Sequence, residues 1–434
     1  MKKLILIAAA AIAVTTPAHA KTWTLDECIG YAVENNIRVK EARVQELSGE
    51  YDVTQAKDQF LPNLSANASQ TFNFGRGLTS ENIYADRNTS NFQWGVGMQL
   101  PLFQGLEATR QLKYARVNLR SLALRTEAAR ENITLNVIAQ YLQALYCREL
   151  LATANEQVRL SEYELTRQEA LAEAGKIAEV NVLQAKSQVA QDRLSVTNAQ
   201  NDYTLALLDL AQLIQLSDIE EFDIKPLDNV IPVVPSVETV YADATLGNSG
   251  LLEAQNNVAV AQAQESVART GYIPRLSFNA GIGSSYYHIG GFDNASFSRQ
   301  MRDNYSTYFG FSLQIPIFDA FSTRNRVRKA QVQTLTARLQ LQDTQTQLYK
   351  DIQQAYYRAV AAHSKFQTGV TSEDLAREAF EAMKEKYEMG RATPQEFEQS
   401  KTTYLKSTIE RIQANYEYIL RCRILNFYSN SGRS

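Results

Sequence analysis

The sequence runs to 434 residues with 44 Lys and Arg against 47 Asp and Glu, a formal charge of −3, so no basic field points to nucleic acid. That length allows one to three domains. Three cysteines, Cys28, Cys147 and Cys422, are too few and too scattered for a disulfide framework.

Residues 1–20 read as an export signal: Lys2 and Lys3, an apolar run from Leu4 to Val14, then Ala18-His19-Ala20 as a small-x-small cleavage site. The run is too short to cross a bilayer, and the mature chain is expected to begin at Lys21. No later stretch reaches the length of a membrane helix, but a membrane barrel leaves a weaker trace that this does not exclude.

After a first helical stretch the period changes to two. Leu64, Ala66, Ala68, Phe72 and Phe74 alternate with Ser65, Asn67, Ser69, Thr71 and Asn73; Phe92, Trp94, Val96, Met98 and Leu100 alternate with Gln93, Gly95, Gly97 and Gln99. Strands are predicted over about 64–74 and 90–100, joined by a polar loop at 75–91. Residues 105–173 are rich in helix formers and almost free of Gly, which predicts a helix ~100 Å long. On it Ile133, Val137, Tyr141, Ala144, Cys147, Leu151, Ala154 and Val158 form an apolar seam, where Cys147 reads as a small filler rather than half of a bridge. A Gly follows, and a second helix returns over about 179–216.

The chain then repeats itself. "FLPNLSANAS" (60–69) is echoed by "YIPRLSFNAG" (272–281), "NNIRVKEA" (35–42) by "GNSGLLEA" (247–254), "MQLPLFQG" (98–105) by "LQIPIFDA" (313–320), and "EAGK" (173–176) by "EMGR" (388–391). Two structural repeats follow, 21–216 and 236–434, with a Pro-marked linker at 217–235. The second repeat carries predicted strands at 276–287 and 305–315, a polar loop at 288–304, and helices over 320–388 and 394–428. Aromatic residues gather toward the loop ends of the strands: Phe72, Phe74, Phe92, Trp94, Tyr286, Tyr305 and Tyr308.

Strands of about ten residues with one apolar face and an aromatic girdle are the pattern of a membrane barrel. Four strands cannot close one, and an open edge in lipid leaves backbone groups unpaired. Three copies would give twelve strands, continued by a tube of helices. The predicted fold class is therefore mixed α and β: an internally duplicated, antiparallel coiled-coil α-barrel joined to a transmembrane β-barrel. A soluble four-stranded sheet packed on helices is the alternative for the strands, and a structural or adhesive envelope coiled coil without a pore is the alternative for function.

The chain resembles the TolC family of outer-membrane channels. The resemblance lies in "WTLDECIGYAVENNIRVKEA" (23–42), in "LPNLS" and "LPLFQG" with their echoes, and in "GKIAEVNVLQAKSQV" and "GRATPQEFEQSKTTY" at the helical turns. It implies a homotrimer in the outer-membrane lipid with a large periplasmic portion. It also implies a periplasmic adaptor and an inner-membrane transporter as partners, and export of small molecules or proteins. By position, the adaptor contacts would be Ala174, Gly175 and Lys176 with Met389, Gly390 and Arg391, and the periplasmic aperture Asn181, Glu396 and Gln399. The family often has Val before the turn Gly, where this chain has Ala174 and Met389, and one of its two aperture acids is replaced here by Gln399. Thr393-Pro394-Gln395-Glu396 also reads as a helix-capping box, so Glu396 has a structural role open to it beside the aperture role.

No enzyme or cofactor site is expected. His288 and His363 stand in no metal-ligand spacing, and neither a phosphate loop nor a nucleophile elbow occurs.

Overall fold

The computed structural model describes residues 21–78, 82–86, 88–216, 222–227 and 234–430. The export signal with His19, and the linker residues 217–221 and 228–233, lie outside the described residues. In chain order the first repeat gives β1 (Lys21–Trp23), α1 (Leu25–Asn35), α2 (Ile37–Asp58), β2 (Asn63–Asn73), β3 (Arg76–Leu78), β4 (Tyr84–Asp86), β5 (Thr89–Phe103), α3 (Glu107–Glu173) and α4 (Glu179–Ile214). The short β6 (Phe222–Ile224) precedes the second repeat: α5 (Val237–Gly247), α6 (Ser249–Ala268), β7 (Arg275–Ile289), α7 (Phe297–Asp303), β8 (Ser306–Gln314), α8 (Ser322–Glu388) and α9 (Pro394–Asn430).

α3 and α8 are each 67 residues long, ~100 Å at the rise of an α-helix. The equality of the two, and of their 36- and 37-residue partners α4 and α9, is the duplication read from the sequence. The junctions that launch them match as well. Gly105 and Leu106 before α3, and Ala320 and Phe321 before α8, all take positive φ. At Gly105 an added Cβ would stand 2.8 Å from Ile273 Cβ, so glycine there answers both the backbone sign and a close approach.

The chain divides into two compact units, each drawing on both repeats. The first takes residues up to Ala42, Thr126–Leu251 and the chain from Gln345. Its largest core joins Trp23, Leu25, Cys28 and Ala32 to Ile133, Val137, Tyr141 and Leu145 of α3 and to Leu210 and Ile214 of α4. β1 and β6 pair in parallel over three residues. The Tyr141 hydroxyl lies 3.0 Å from the Trp23 carbonyl and 2.5 Å from that of Lys225, and Arg148 donates to the Ile224 carbonyl at 2.7 Å. α3 thus holds this pair, which is too short to stand alone. Thr24 starts α1 with a full capping box to Glu27.

The second unit, Arg43–Arg125 with Leu252–Thr344, contains an antiparallel sheet in the order β2-β5-β7-β8. β5 and β7 pair across the two repeats from Thr89 opposite Ile289 to Phe103 opposite Leu276, with a bulge between Pro101 and Phe103, where Pro has no N–H to give. Registers place Leu64, Ala66 and Ala68 beside Met98, Val96 and Trp94; these face Ala280, Ile282 and Ser284. Phe309, Phe311 and Leu313 follow beside Ala280, Phe278 and Leu276. Over this span one face is therefore apolar apart from Ser284 and Thr307 toward its loop end, and it stands uncovered on the edge strands: Leu64 is 70% exposed, Phe309 77% and Phe311 69%. The opposite face carries Gly95, Gly97, Gly281, Gly283 and Gly310. Tyr308 does not join the aromatic girdle expected of it. It lies opposite Gly281 in register and packs over that glycine, on the small-residue face.

The polar loops also hold more than expected. β3 and β4 form a small hairpin within 75–91, and α7 forms within 288–304.

All three cysteines are free and buried. Burial, with the Glu27 carboxylate adding to it, pushes the Cys28 thiol up to about 12, and burial likewise raises Cys147 and Cys422. Thiolate is the reactive form, so a neutral-pH alkylating reagent is expected to leave the native protein nearly unlabelled. After denaturation without reductant it should label three thiols. Mass spectrometry checks both states; a pair that resists labelling in the denatured chain would reveal a bridge.

Candidate functional site

The site is built at the two helical turns of the first unit. α3 ends in a left-handed Gly175 (φ +68°) and α8 in a left-handed Gly390 (φ +73°). Gly175 N–H donates to the Ala172 carbonyl and Lys176 N–H to that of Leu171, both at 2.9 Å; Gly390 and Arg391 do the same to Tyr387 and Lys386 at 3.0 and 2.8 Å. Both are Schellman closures, in which one glycine reverses the backbone and the last carbonyls of the helix are satisfied. An added Cβ would meet nothing within 4 Å at either glycine, so their requirement is conformational and not steric. Ala174, Gly175, Lys176, Met389, Gly390 and Arg391 are all exposed, and Met389 is a large apolar side chain left in solvent.

The returning helices begin differently. α9 starts with a capping box: the Thr393 N–H and hydroxyl both donate to Glu396 Oε2 at 2.8 Å, and Glu396 N–H donates to Thr393 Oγ1 at 3.3 Å. Pro394 occupies the first helical position. The two hydrogen bonds from Thr393, that from its backbone first, hold the Glu396 carboxyl below its usual value. α4 has no such device: Ala178 is its N-cap and makes no side-chain hydrogen bond.

Just inside the turns a polar network joins α3 to α8. The Tyr387 hydroxyl donates to Glu164 Oε1, Gln168 Nε2 donates to Glu164 Oε1 at 2.6 Å and to the Tyr387 hydroxyl at 2.5 Å, and Arg167 donates to the Tyr387 carbonyl at 2.8 Å. The Arg167 guanidinium also stands 4.2 Å over the Tyr387 ring. Burial and then the Glu164 carboxylate push the Tyr387 phenol well above its ordinary value, so it stays protonated and donates. On its other side Tyr387 stacks on Phe397 of α9, 4.8 Å between centroids, and Phe380 completes the cluster. The two hairpins are therefore bonded to one another near their tips, about one turn before Gly390 on α8 and about two to three turns before Gly175 on α3.

A cavity of about 480 Å³ lies beside this network, lined by Glu164, Gln168, Asn181, Gln188, Thr393 and Phe397 among others. It brings Asn181 together with the cap of α9. Glu396 and Gln399 are not in that lining; both are exposed on α9. The partners of Tyr387 lie more than 200 residues away in sequence, and no local motif marks them. Among the described residues no cluster of His, Cys, Asp or Glu suits a metal ion, and no helix is long and apolar enough to cross a membrane.

Duplicated long helical hairpins, each strand pair presenting an uncovered apolar face, define a channel-type envelope protein. The comparisons agree. The profile of the family "Outer membrane efflux protein" matches twice, over residues 28–214 and 240–425, so the chain belongs to that family, whose members are channel proteins of the outer membrane with a large periplasmic part. It is 22% identical over 428 residues to outer membrane efflux protein BepC of Brucella suis, covering 96% of this chain and 88% of that one. It is 21% identical over 410 residues to alkaline protease secretion protein AprF of Pseudomonas aeruginosa, covering 92% and 82%. The crystal structure of the Campylobacter jejuni CmeC outer membrane channel shares the fold, with a TM-score of 0.78 at 16% identity over 94% of this chain and 86% of that one.

The turn geometry sets a test. Gly390→Val places a branched residue at positive φ, a cost of about 1–2 kcal/mol, whereas Gly390→Asn is tolerated there. Limited trypsin digestion should cut faster after Lys386 and Arg391 in the Val variant and near the unaltered rate in the Asn variant. Equal rates in all three proteins would show that the left-handed turn is not maintained.

Proposed function

We propose that three copies of the chain form the exit duct of an envelope export machine. The sheets of the three copies close a twelve-stranded barrel in the outer membrane, and the long helices make up the periplasmic part. The observation that carries this reading is the four-stranded sheet with an exposed apolar face and two unpaired edges, β2 and β8. In lipid such edges are satisfied only by another strand. Ala174, Gly175, Lys176, Met389, Gly390 and Arg391 then present a periplasmic adaptor with two turns of the same backbone geometry. An inner-membrane transporter supplies the energy, since nothing in the chain reads as a nucleotide or cofactor site. Names of relatives on both the efflux and the protease-secretion side leave the cargo class as drug, other small molecule or protein.

Asn181, Glu396 and Gln399 are proposed to border the aperture. For Glu396 the capping box and the aperture role are compatible. Both bonds from Thr393 go to Oε2, which leaves Oε1 for ions. The cap stabilises the helix start while the carboxylate is charged. Because the folded value is depressed, that stabilisation is present above the usual Glu value of about 4.3 and is lost as pH falls through the lowered one.

The test is conductance of the purified protein in planar bilayers. The unaltered protein should form cation-preferring channels near pH 7. Glu396→Gln, whose amide oxygen can still accept in a capping box, should keep conductance and lose part of the cation preference. An absence of channels would contradict the duct, and an unchanged preference in the variant would reduce Glu396 to a cap.

A further inference from the structure

β8 stops pairing with β7 at Gly283 opposite Ser306, while β7 continues to Ile289. The edge of β7 that this leaves is met by side-chain amides. Asn304 Nδ2 donates to the Ser285 carbonyl at 2.7 Å. Gln300 accepts from the Tyr287 N–H through Oε1 and donates to its carbonyl through Nε2, both at 3.0 Å. Asn294 does the same to Ile289, both at 2.9 Å. Three amides thus stand in for the missing strand; Gln300 and Asn294 copy the donor–acceptor pattern of a backbone unit, and Asn304 supplies a donor.

The same segment then wraps onto the apolar face. Phe297 of α7 packs on Phe92 and Tyr286, 5.7 and 5.2 Å between ring centroids, and the Ser284 hydroxyl donates to the Met301 carbonyl at 2.7 Å. α7 is pinned from both sides at the loop end of the sheet, where the apolar band of Leu276, Phe278, Ala280 and Ile282 ends. Arg299 and Arg302, three apart and so neighbours on the helix surface, take no part in these anchors and have side chains 69% and 79% exposed. Their one acidic partner is Asp303, reached by Nε of each at 3.4 and 3.3 Å. Two guanidinium groups share one carboxylate, and their terminal nitrogens make no hydrogen bond among the described residues.

We propose that α7 is a lipid-headgroup site, in which Arg299 and Arg302 bind the phosphate of an anionic lipid at the outward margin of the apolar band. It rests on the barrel reading above, which makes that face the lipid-facing one. The chemistry fits: a guanidinium fork matches a phosphate with two parallel N–H···O bonds. A helix with its aromatic residue inward and its arginines outward, at the boundary of an apolar band, sits at headgroup depth. The amide ladder gives the site its rigidity, so binding does not have to order the loop.

Full-length protein in mild detergent is titrated with bisphosphorylated lipid A, with the same lipid dephosphorylated, and with millimolar inorganic phosphate as competitor. Native mass spectrometry counts the bound lipid. The unaltered protein should prefer the phosphorylated lipid and keep it against free phosphate. Arg299→Gln with Arg302→Gln should bind it about 30-fold more weakly. Asp303→Asn, which frees both forks, should bind it more tightly, a gain that misfolding cannot imitate. Equal binding of the two lipids, displacement by inorganic phosphate, or unchanged binding in either variant would overturn the site. If the unaltered protein conducts in a bilayer yet shows no phosphate preference, the headgroup site alone falls. If it does not conduct, the barrel reading falls and the site with it.

Discussion

Everything in the chain answers to the two unpaired edges of its four-stranded sheet. Among the described residues β2 and β8 each carry a row of backbone groups with no partner strand, beside an apolar face that α7 covers only at its loop end. In water such a sheet would aggregate, and in lipid each orphaned group would cost several kcal/mol. Association of copies edge to edge relieves both penalties at once. It also accounts for each repeat supplying a hairpin: β5 and β7 make the join between repeats within one chain, and the proposed barrel leaves the β2–β8 join to the next copy.

The same economy governs the ends of the long helices. α3 and α8 both begin behind a pair of left-handed residues and both end in a Schellman glycine. Duplication copied the backbone solution, while the side chains have since diverged. Gly105 corresponds to Ala320 at the start, and Ala174 to Met389 at the end. The hairpins are then tied by Tyr387, Glu164 and Gln168, where a buried carboxylate is satisfied by a protonated phenol, an amide and a nearby guanidinium. The amide of Gln168 gives both its bonds through Nε2, and its Oε1 is buried without a hydrogen-bond partner among the described residues. Removing the Tyr387 hydroxyl would leave Glu164 short of one donor beside the cavity it lines.

Much of this was legible in the sequence because the period changes sharply. Alternation in Phe92–Leu100 and Leu276–Ile282 marks two-sided strands, and the Gly-poor runs after Gly105 and Asp319, broken only by Gly369, mark long helices. The strand predicted over 90–100 extends to Thr89–Phe103 because Pro101 sits in a bulge that prolongs the pairing. The capping box at Thr393–Glu396 was visible because its partners are three residues apart. What stayed hidden depends on contacts distant in sequence or too short to show a period. β1 and β6 have three residues each and owe their pairing to Tyr141 and Arg148. α7 lies in a polar loop and is set by Phe297 and the amides on β7. Tyr308 looked like a girdle aromatic, but register places it over Gly281, and register is not written in composition. The partners of Tyr387 carry no spacing signal at all.

The most direct test of edge closure is the mass of the assembly. Native mass spectrometry of the full-length protein released from mild detergent is expected to find three copies and no stable single chain, with dissociation only when the strands unfold. A stable monomer that keeps its strand signal in circular dichroism would contradict the account, because it would show that β2 and β8 need no partner.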